Sequence, residues 1–458
     1  MTERVGVYWF SNDLRVEDNQ LLLSASTQVD HLVCVFTMPT VSPYLKRYSQ
    51  SESFGEYKLT FLHQALLDLT KSLAQRDQQL YCTALSIAEI LDIIESKYGL
   101  HDLFVSASAG IDERKTLSSI QAQHPLLTIH SDYVSSLFYP NQLPFDCQQL
   151  PDSFSKFRKR VETLPIDEPA LACRFLPPSL PVELKHIDIA SLNTINSDAD
   201  TVQNINGFVG GEHTGQAHCR QYFAGSFASH YKQTRNAIDG ENYSTQFSPW
   251  LALGCVSPKW ILRELKQYET VNGANDSTYW IYFELLWREY FFWYAMKFGP
   301  QLFRFKGIKP NPPHTSLYPQ RLKMWQLGNT PYPLVNALMH QLVATGYMSN
   351  RGRQIVASCL VNELQLDWRY GAAFFEVHLI DYDVGSNWGN WQYIAGVGAD
   401  PQPSRHFDLN KQTEQFDPQR MFISKWHGDA TTMSLNSVDI TDWPIDSMET
   451  ENEYGKTY

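Results

Sequence analysis

Two hydrophobic periods divide the chain. Residues 5–10, 31–37, 80–85, 103–108 and 127–133 are short, apolar, β-prone runs. Between them, residues 56–73 and 87–97 repeat apolar positions at helical spacing. Strands that alternate with helices predict a doubly wound parallel sheet. From about residue 140 to 206 the periodicity fades. Proline recurs there (PNQLPF, LPIDEPA, LPPSLP), and polar residues dominate after Ile187. That text predicts a long connector. After Gly210 strand signals nearly vanish, and helical patterns occupy 213–229, 258–268, 278–298, 334–344, 351–363 and 371–379. The expected organisation is an α/β domain over 1–135, a connector over 136–210, an all-α domain over 211–430 and a polar tail over 431–458. The tail, acidic and without periodicity, is expected to fray.

At 458 residues, 43% of them hydrophobic, the chain is too long for one core and predicts about two or three domains. No apolar run approaches the ~18 residues of a membrane span, and no basic-then-apolar leader opens the chain. The seven cysteines (34, 82, 147, 173, 219, 255, 359) are scattered, with no CxxC pair or His/Cys ligand spacing. Reduced thiols, no disulfide framework and no metal are expected, in a cytoplasmic monomer with no membrane partner. The formal charge of −12 argues against a general nucleic-acid coat. A local basic groove stays open, since the field at a site follows its nearest charges. The GxGxxG fingerprint is missing from the α/β domain, so no NAD site is expected there.

Aromatics reach 13%, with 12 Trp, more than core filling usually demands. In 278–298, TYWIYFELLWREYFFWYAMKF, the residues Trp280, Glu284, Trp287 and Phe291 recur at helical spacing, with Arg288 at the flank. A core helix with an ion-paired Glu–Arg is one reading. A carboxylate in an apolar stripe is expensive unless something binds it, so a stacked, hydrogen-bonded base is the other. Arg351 and Arg353 lack acidic neighbours in sequence. Either they lie on a solvated helix face or they capture phosphate or carboxylate, with Asp381 and Asp383 as possible partners. Those two Asp could equally cap a helix. Ser244, Thr245 and Ser248 precede an apolar run and read as N-cap chemistry, or as a pyrophosphate seat at a helix N-terminus. Trp325, Trp368 and Trp391 alone read as core. His378 reads as a packed core histidine, and His213 and His218 carry no ligand spacing.

Together these segments resemble the photolyase/cryptochrome flavoproteins, and most closely the DASH cryptochromes. The matching text is YWFSNDLRVEDN, FVGGE, YKQTRNAIDGENYSTQFSPWLALG, NDSTYWIYFELLWREYF, TGYMSNRGRQIVAS and LIDYDVGSNWGNWQYIAGVGADP. The resemblance implies an N-terminal antenna domain and a helical FAD-binding domain. It places Tyr231, Ser244, Thr245, Gln246, Phe247 and Ser248 on the FAD phosphates and ribityl chain. It pairs Arg353 with Asp381 beside the flavin, sets Asp383 at the ring edge and ribose, and faces Asn387 to N5. An amide there can accept from N5–H without adding negative charge. Trp391, Trp368 and Trp325 fall on an electron-transfer triad ordered from flavin to surface. Glu284, Trp287, Arg288, Asn350, Gln354 and Tyr393 line the lesion pocket, with Arg235 and Arg351 near the DNA backbone. Gln354 and Tyr393 follow the DASH pattern, and the absence of His at 350 and 354 argues against 6-4 repair. Ile355 departs from an Asn usual in that motif and is expected to alter pocket polarity.

The implied activity is blue-light-driven, FAD-dependent repair of cyclobutane pyrimidine dimers, mainly in single-stranded DNA. The competing reading is a DNA-binding blue-light receptor without efficient repair. A generic flavin reductase lacks a nicotinamide motif. A 5,10-methenyltetrahydrofolate antenna is a family expectation. Gly110 stands where its carboxylate contact would align, with Asp112 or Glu113 as substitutes.

Overall fold

β1 (Val5–Phe10) is buried along its whole length, as a strand covered on both faces must be. The computed structural model describes residues 3–184, 187, 207–240, 242–399 and 405–429. β2 (His31–Thr37), β3 (Leu80–Thr83), β4 (Asp102–Ser106) and β5 (Thr128–Asp132) complete a five-stranded sheet in the order β3-β2-β1-β4-β5. Every pairing is parallel, and Val7 lies opposite both Val33 and Leu103. All five predicted strands are present; the last three stop a residue or two before the apolar text does. The helices α1 (Gln20–Gln28), α2 (Pro43–Ser49), α3 (Glu56–Ala74), α4 (Ile87–Tyr98) and α5 (Ile111–Gln123) belong to this domain. α4 opens on a reciprocal cap: Glu89 N–H donates to Ser86 Oγ, and Ser86 N–H donates to Glu89.

Strand order reverses between β1 and β4. The crevice at the carboxyl ends of such strands is where open α/β sheets bind ligands. Here the second domain docks against it. The loop after β1, NDLRVEDN, is a clamp. Arg15 is buried and donates to the carbonyls of Asp18 at 2.8 Å, Gly254 at 2.8 Å and Val134 at 2.5 Å. Glu212 accepts from Val16 N and Glu17 N, both at 2.9 Å. Gly254 sits at φ +66, and a Cβ there would lie 2.0 Å from the Asn12 carbonyl oxygen.

The connector is not structureless. It carries α6 (Phe154–Val161), whose Phe154, Phe157 and Val161 are buried. The helix is short and flanked by Pro-rich text, which hid its period. Residues 188–206 and the 431–458 tail lie outside the described residues.

The helical domain contains α7 (Glu212–Ala224), α8 (Tyr231–Thr234), α9 (Ser248–Ala252), α10 (Pro258–Asn272), α11 (Asp276–Phe298), α12 (Pro319–Gln326), α13 (Pro333–Thr345), α14 (Asn350–Ser358), α15 (Trp368–His378), α16 (Val384–Ile394), α17 (Leu409–Phe416) and α18 (Met421–Lys425). The pattern over 213–229 breaks at Gly225, and a 3₁₀ turn, Phe227–His230, follows. The pattern over 351–363 ends in a π turn, Cys359–Glu363. α16 escaped the periodicity because it is buried on several sides. It lies on α11 through Gly385 and Gly389, where a Cβ would meet Phe291 at 2.6 and 2.4 Å. Among the described residues no helix is long and apolar enough to cross a membrane.

Candidate functional site

Asp381 leaves the C-terminal end of α15 with its side chain almost wholly buried. Ser248 Oγ donates to Asp381 Oδ2 at 2.6 Å, and Arg353 Nη2 donates to the same oxygen at 2.8 Å. Arg353 also donates from Nε to the Met348 carbonyl at 2.9 Å and lies 5.5 Å from the Tyr347 ring centroid. Asp381 Oδ1 is buried and has no hydrogen-bond partner. Leaving such an atom unpaired costs about 1–3 kcal/mol, so the cradle is built for a donor that the protein does not supply. Nearby, Asn387 Nδ2 donates to the Ala372 carbonyl at 3.0 Å. That bond fixes the amide and leaves Oδ1 as the end free to accept from a ligand.

The loop before α9 reaches the same cradle. His218 lies 4.7 Å from Trp250, ring stacked on ring, and its Nε2 is 2.9 Å from the Thr245 carbonyl. Burial pushes the His218 pKa down, so the neutral ring is the species that holds Thr245. Gln246 takes φ +53, and Phe247 packs against Tyr222 and Phe223. The hydroxyl of Ser244 hydrogen-bonds buried Tyr231, whose pKa burial drives upward. One expectation is corrected here. The hydroxyls do not cap α9: Phe247 is its N-cap, with no side-chain bond, and Ser248 serves Asp381 instead. Asp383 does cap a helix, accepting from Ser386 N at 2.7 Å at the start of α16. His218 was missed, because nothing in its spacing marks a histidine that orients a loop.

Glu284 lies on α11. Its partner is Arg235, at 2.6 Å, and Arg235 lies 4.2 Å from the Trp280 ring centroid. Lost hydration raises the Glu284 pKa, and Arg235 opposes that rise. Arg288 does not pair with Glu284. It donates to the carbonyls of Ser135 at 2.7 Å and Leu251 at 3.4 Å, which ties α11 to neighbouring backbone. Trp287 has one neighbour the sequence concealed: Phe154 of α6 stacks on it at 3.8 Å and 12°. Tyr393 meets Trp287 edge-on at 6.4 Å. Asn350 is exposed and Gln354 half-buried, one turn apart on α14 and so on one face. Arg351 Nη2 donates to Asn236 Oδ1 at 3.3 Å, and its guanidinium lies near the Phe407 and Phe416 rings. Ile355 is wholly buried.

The tryptophans do not follow the expected order. Trp325 was placed at the surface end of the triad, yet it is fully buried and packs on Trp391 at 6.2 Å, with the rings at 73°. Gly371 makes room for Trp391, since a Cβ there would lie 2.2 Å from the ring. Trp368 is also fully buried and meets a different tryptophan, Trp388, at 5.8 Å. Sequence order along the helices could not show which rings touch.

The family described as DNA photolyase matches residues 6–173, and the FAD binding domain of DNA photolyase matches residues 280–458. The cryptochrome DASH of Vibrio parahaemolyticus is 50% identical over 98% of this chain and 99% of its own. The cryptochrome DASH of Idiomarina loihiensis is 48% identical over 96% and 97%. This chain belongs to the cryptochrome DASH family. A cryptochrome from Synechocystis shares the fold with a TM-score of 0.84 at 36% identity, covering 93% of this chain and 89% of its own. A class III photolyase from Agrobacterium tumefaciens follows with a TM-score of 0.78 at 25% identity, covering 93% and 86%.

FAD is the cofactor of this DASH cryptochrome. The residues present fit it: Asp381 Oδ1 is buried and unpaired, the Asn387 amide is fixed on the Ala372 carbonyl, and Ser248 ties the 244–248 loop to Asp381. A second feature of the DASH chain lies at the β1/β4 switch point. Glu113 folds back over Gly110, where a Cβ would lie 1.9 Å from Glu113 Oε2. Its carboxylate thus takes the space that a side chain at 110 would fill.

Proposed function

We propose that this chain is a light-driven lyase that splits cyclobutane pyrimidine dimers, mainly in single-stranded DNA. The observation that carries the reading is Glu284, a carboxylate paired at 2.6 Å with Arg235, whose guanidinium lies over the Trp280 ring. When bound, FAD supplies light absorption and one-electron chemistry. The protein residues bind, orient and exclude water. Ser248, Arg353 and Asp381 hold the cofactor, and the Asn387 carbonyl end accepts from it. Trp287 and Tyr393 offer apolar walls to the extruded dimer, and Gln354 and Asn350 offer amides to its base edges. Glu284 accepts from a pyrimidine N–H or, once protonated, donates to its carbonyl.

Extruding a lesion from a duplex costs roughly a few kcal/mol, and least from a single strand. Trp287 already stacks on Phe154, so one of its faces is unavailable to the lesion. That supports weak flipping power and a single-strand preference. Arg235 and Arg351 meet the phosphates of the bound strand in this reading. At the antenna crevice we assign Glu113 the role of the carboxylate that receives a folate.

The test illuminates chemically reduced protein with a thymine-dimer oligonucleotide, single-stranded or duplex, and counts restored thymines. Repair confined to the single strand supports the proposal, and Glu284→Gln is expected to lower it at least tenfold. Repair of neither strand by FAD-loaded protein would sink it. The same Phe154 stack and Arg235–Glu284 pair favour a second reading, a light receptor that binds DNA without efficient repair. Light-dependent DNA affinity without restored thymines would establish that one.

A further inference from the structure

Trp388 directly follows Asn387 and is fully buried. Its hydrogen bond differs from those of its neighbours. Trp368 donates to the Phe305 carbonyl at 2.9 Å, and Trp325 to the Val356 carbonyl at 3.0 Å. Trp388 Nε1 instead donates to a carboxylate, Glu376 Oε2, at 2.9 Å. Tyr382 also hydrogen-bonds Glu376. Lys58 reaches across from α3 of the first domain. Its ammonium lies 4.5 Å from the Tyr382 ring centroid and donates to the Glu376 carbonyl.

A packed tryptophan needs one acceptor, and a carbonyl is enough. Drawing a carboxylate and an ammonium from different domains into this region costs desolvation that packing does not require. The arrangement suits a different task. An indole that loses an electron becomes a strong N–H acid. An amide carbonyl cannot keep that proton, whereas a carboxylate can. Trp388 is also the tryptophan in ring contact with Trp368.

We propose that Trp388 is a proton-coupled relay beyond Trp368, with Glu376 as its proton acceptor. The proposal rests on the reading that light draws electrons toward the cofactor through tryptophan. After Trp368 has lost an electron, Trp388 returns one to it and passes its Nε1 proton to Glu376. The products are restored Trp368, a neutral Trp388 radical and a protonated Glu376. An external thiolate then gives one electron to Trp388, which recovers its proton from Glu376; two thiyl radicals couple to a disulfide. Glu376 is suited to both halves. Lys58, Tyr382 and Trp388 favour its anion, while burial raises its pKa and makes it a better base. The like charge of Glu113 pushes it the same way as burial. His378, next along α15, is pushed down to about 4 and stays neutral. Lys58, at about 8, remains charged near neutral pH.

The experiment follows FAD-loaded, full-length protein after a light pulse, by absorption that separates cationic from neutral tryptophan radicals. Infrared difference spectra follow carboxyl protonation in the same samples. Wild type is expected to form the neutral radical together with a new carboxylic C=O band. Glu376→Gln should abolish that band and lengthen the cationic signal several-fold. Trp388→Phe should remove the neutral radical and shorten the overall lifetime of charge separation. Unchanged kinetics in both variants, or a Glu376 band already present in the dark, would overturn the relay alone. The absence of any tryptophan radical in wild type would overturn the relay and the reading beneath it.

Discussion

Asp381 accepts twice on one oxygen and not at all on the other. That asymmetry makes it the residue whose chemistry is easiest to isolate. Asp381→Asn removes the charge opposite Arg353 and leaves a cation without its partner. Breaking one side of a buried pair costs about 3 kcal/mol or more. Flavin content per chain, read from the visible-to-ultraviolet absorbance ratio, is expected to fall sharply. Ser248→Ala removes one neutral donor, worth about 1 kcal/mol, and should weaken FAD retention about fivefold while leaving the fold intact. Retention equal to wild type in Asp381→Asn would show that the cradle serves only the protein.

Two helices set the distance between the cofactor side and the lesion side. α11 carries Glu284 and Trp287, and α16 carries Asn387 and Trp391. They approach closely because Gly385 and Gly389 present no Cβ to Phe291. Gly389→Ala forces a methyl group to 2.4 Å from the Phe291 ring, and overpacking of that kind costs roughly 1–3 kcal/mol. A lower Tm is expected, with a larger loss of repair than of FAD binding, because the spacing of the two sides changes before the cradle does. Equal losses of both would point to general unfolding. α6 acts at the same scale. Phe154→Ala frees one face of Trp287 and should alter the ratio of duplex to single-strand repair.

Across the whole molecule, charge and protonation report on the domain interface. The chain is acidic overall, so nucleic-acid affinity must rest on a few local cations and fall steeply with salt. If Arg351 meets a phosphate, Arg351→Gln lowers the slope of log Kobs against log salt by about one. Binding at two or more salt concentrations measures it. Stability should also depend on His378, whose Nδ1 lies 3.0 Å from where a Cβ on Gly55, at the edge of α3, would stand. Its folded pKa, about 4, lies below the unfolded value of about 6.5. The unfolded chain therefore binds the extra proton between those limits. The stability His378 contributes is complete above about pH 6.5 and is lost as pH falls toward 4. Glu212, raised to about 7, acts in the opposite sense, so a variant must separate them. His378→Leu is expected to flatten the decline of Tm below about pH 6.5 relative to wild type.

What the sequence determined by itself is what local spacing encodes. Parallel strands, covered on both faces, had to be continuous apolar runs, and all five were legible. The amphipathic helices of the second domain were legible for the same reason, as was the Arg353–Asp381 pair through its family pattern. Tertiary structure alone decided which side chains meet. Glu284 chose Arg235 over Arg288, which lies one turn away on its own helix, because packing turned Arg288 toward the Ser135 carbonyl. Trp325 fell inside rather than outside because its ring closes against Trp391. Phe154 reached Trp287, and Lys58 reached Glu376, across stretches of chain that no period links. Such contacts depend on how helices dock, and docking is set by many glycines and ring volumes acting together, not by any short run of residues.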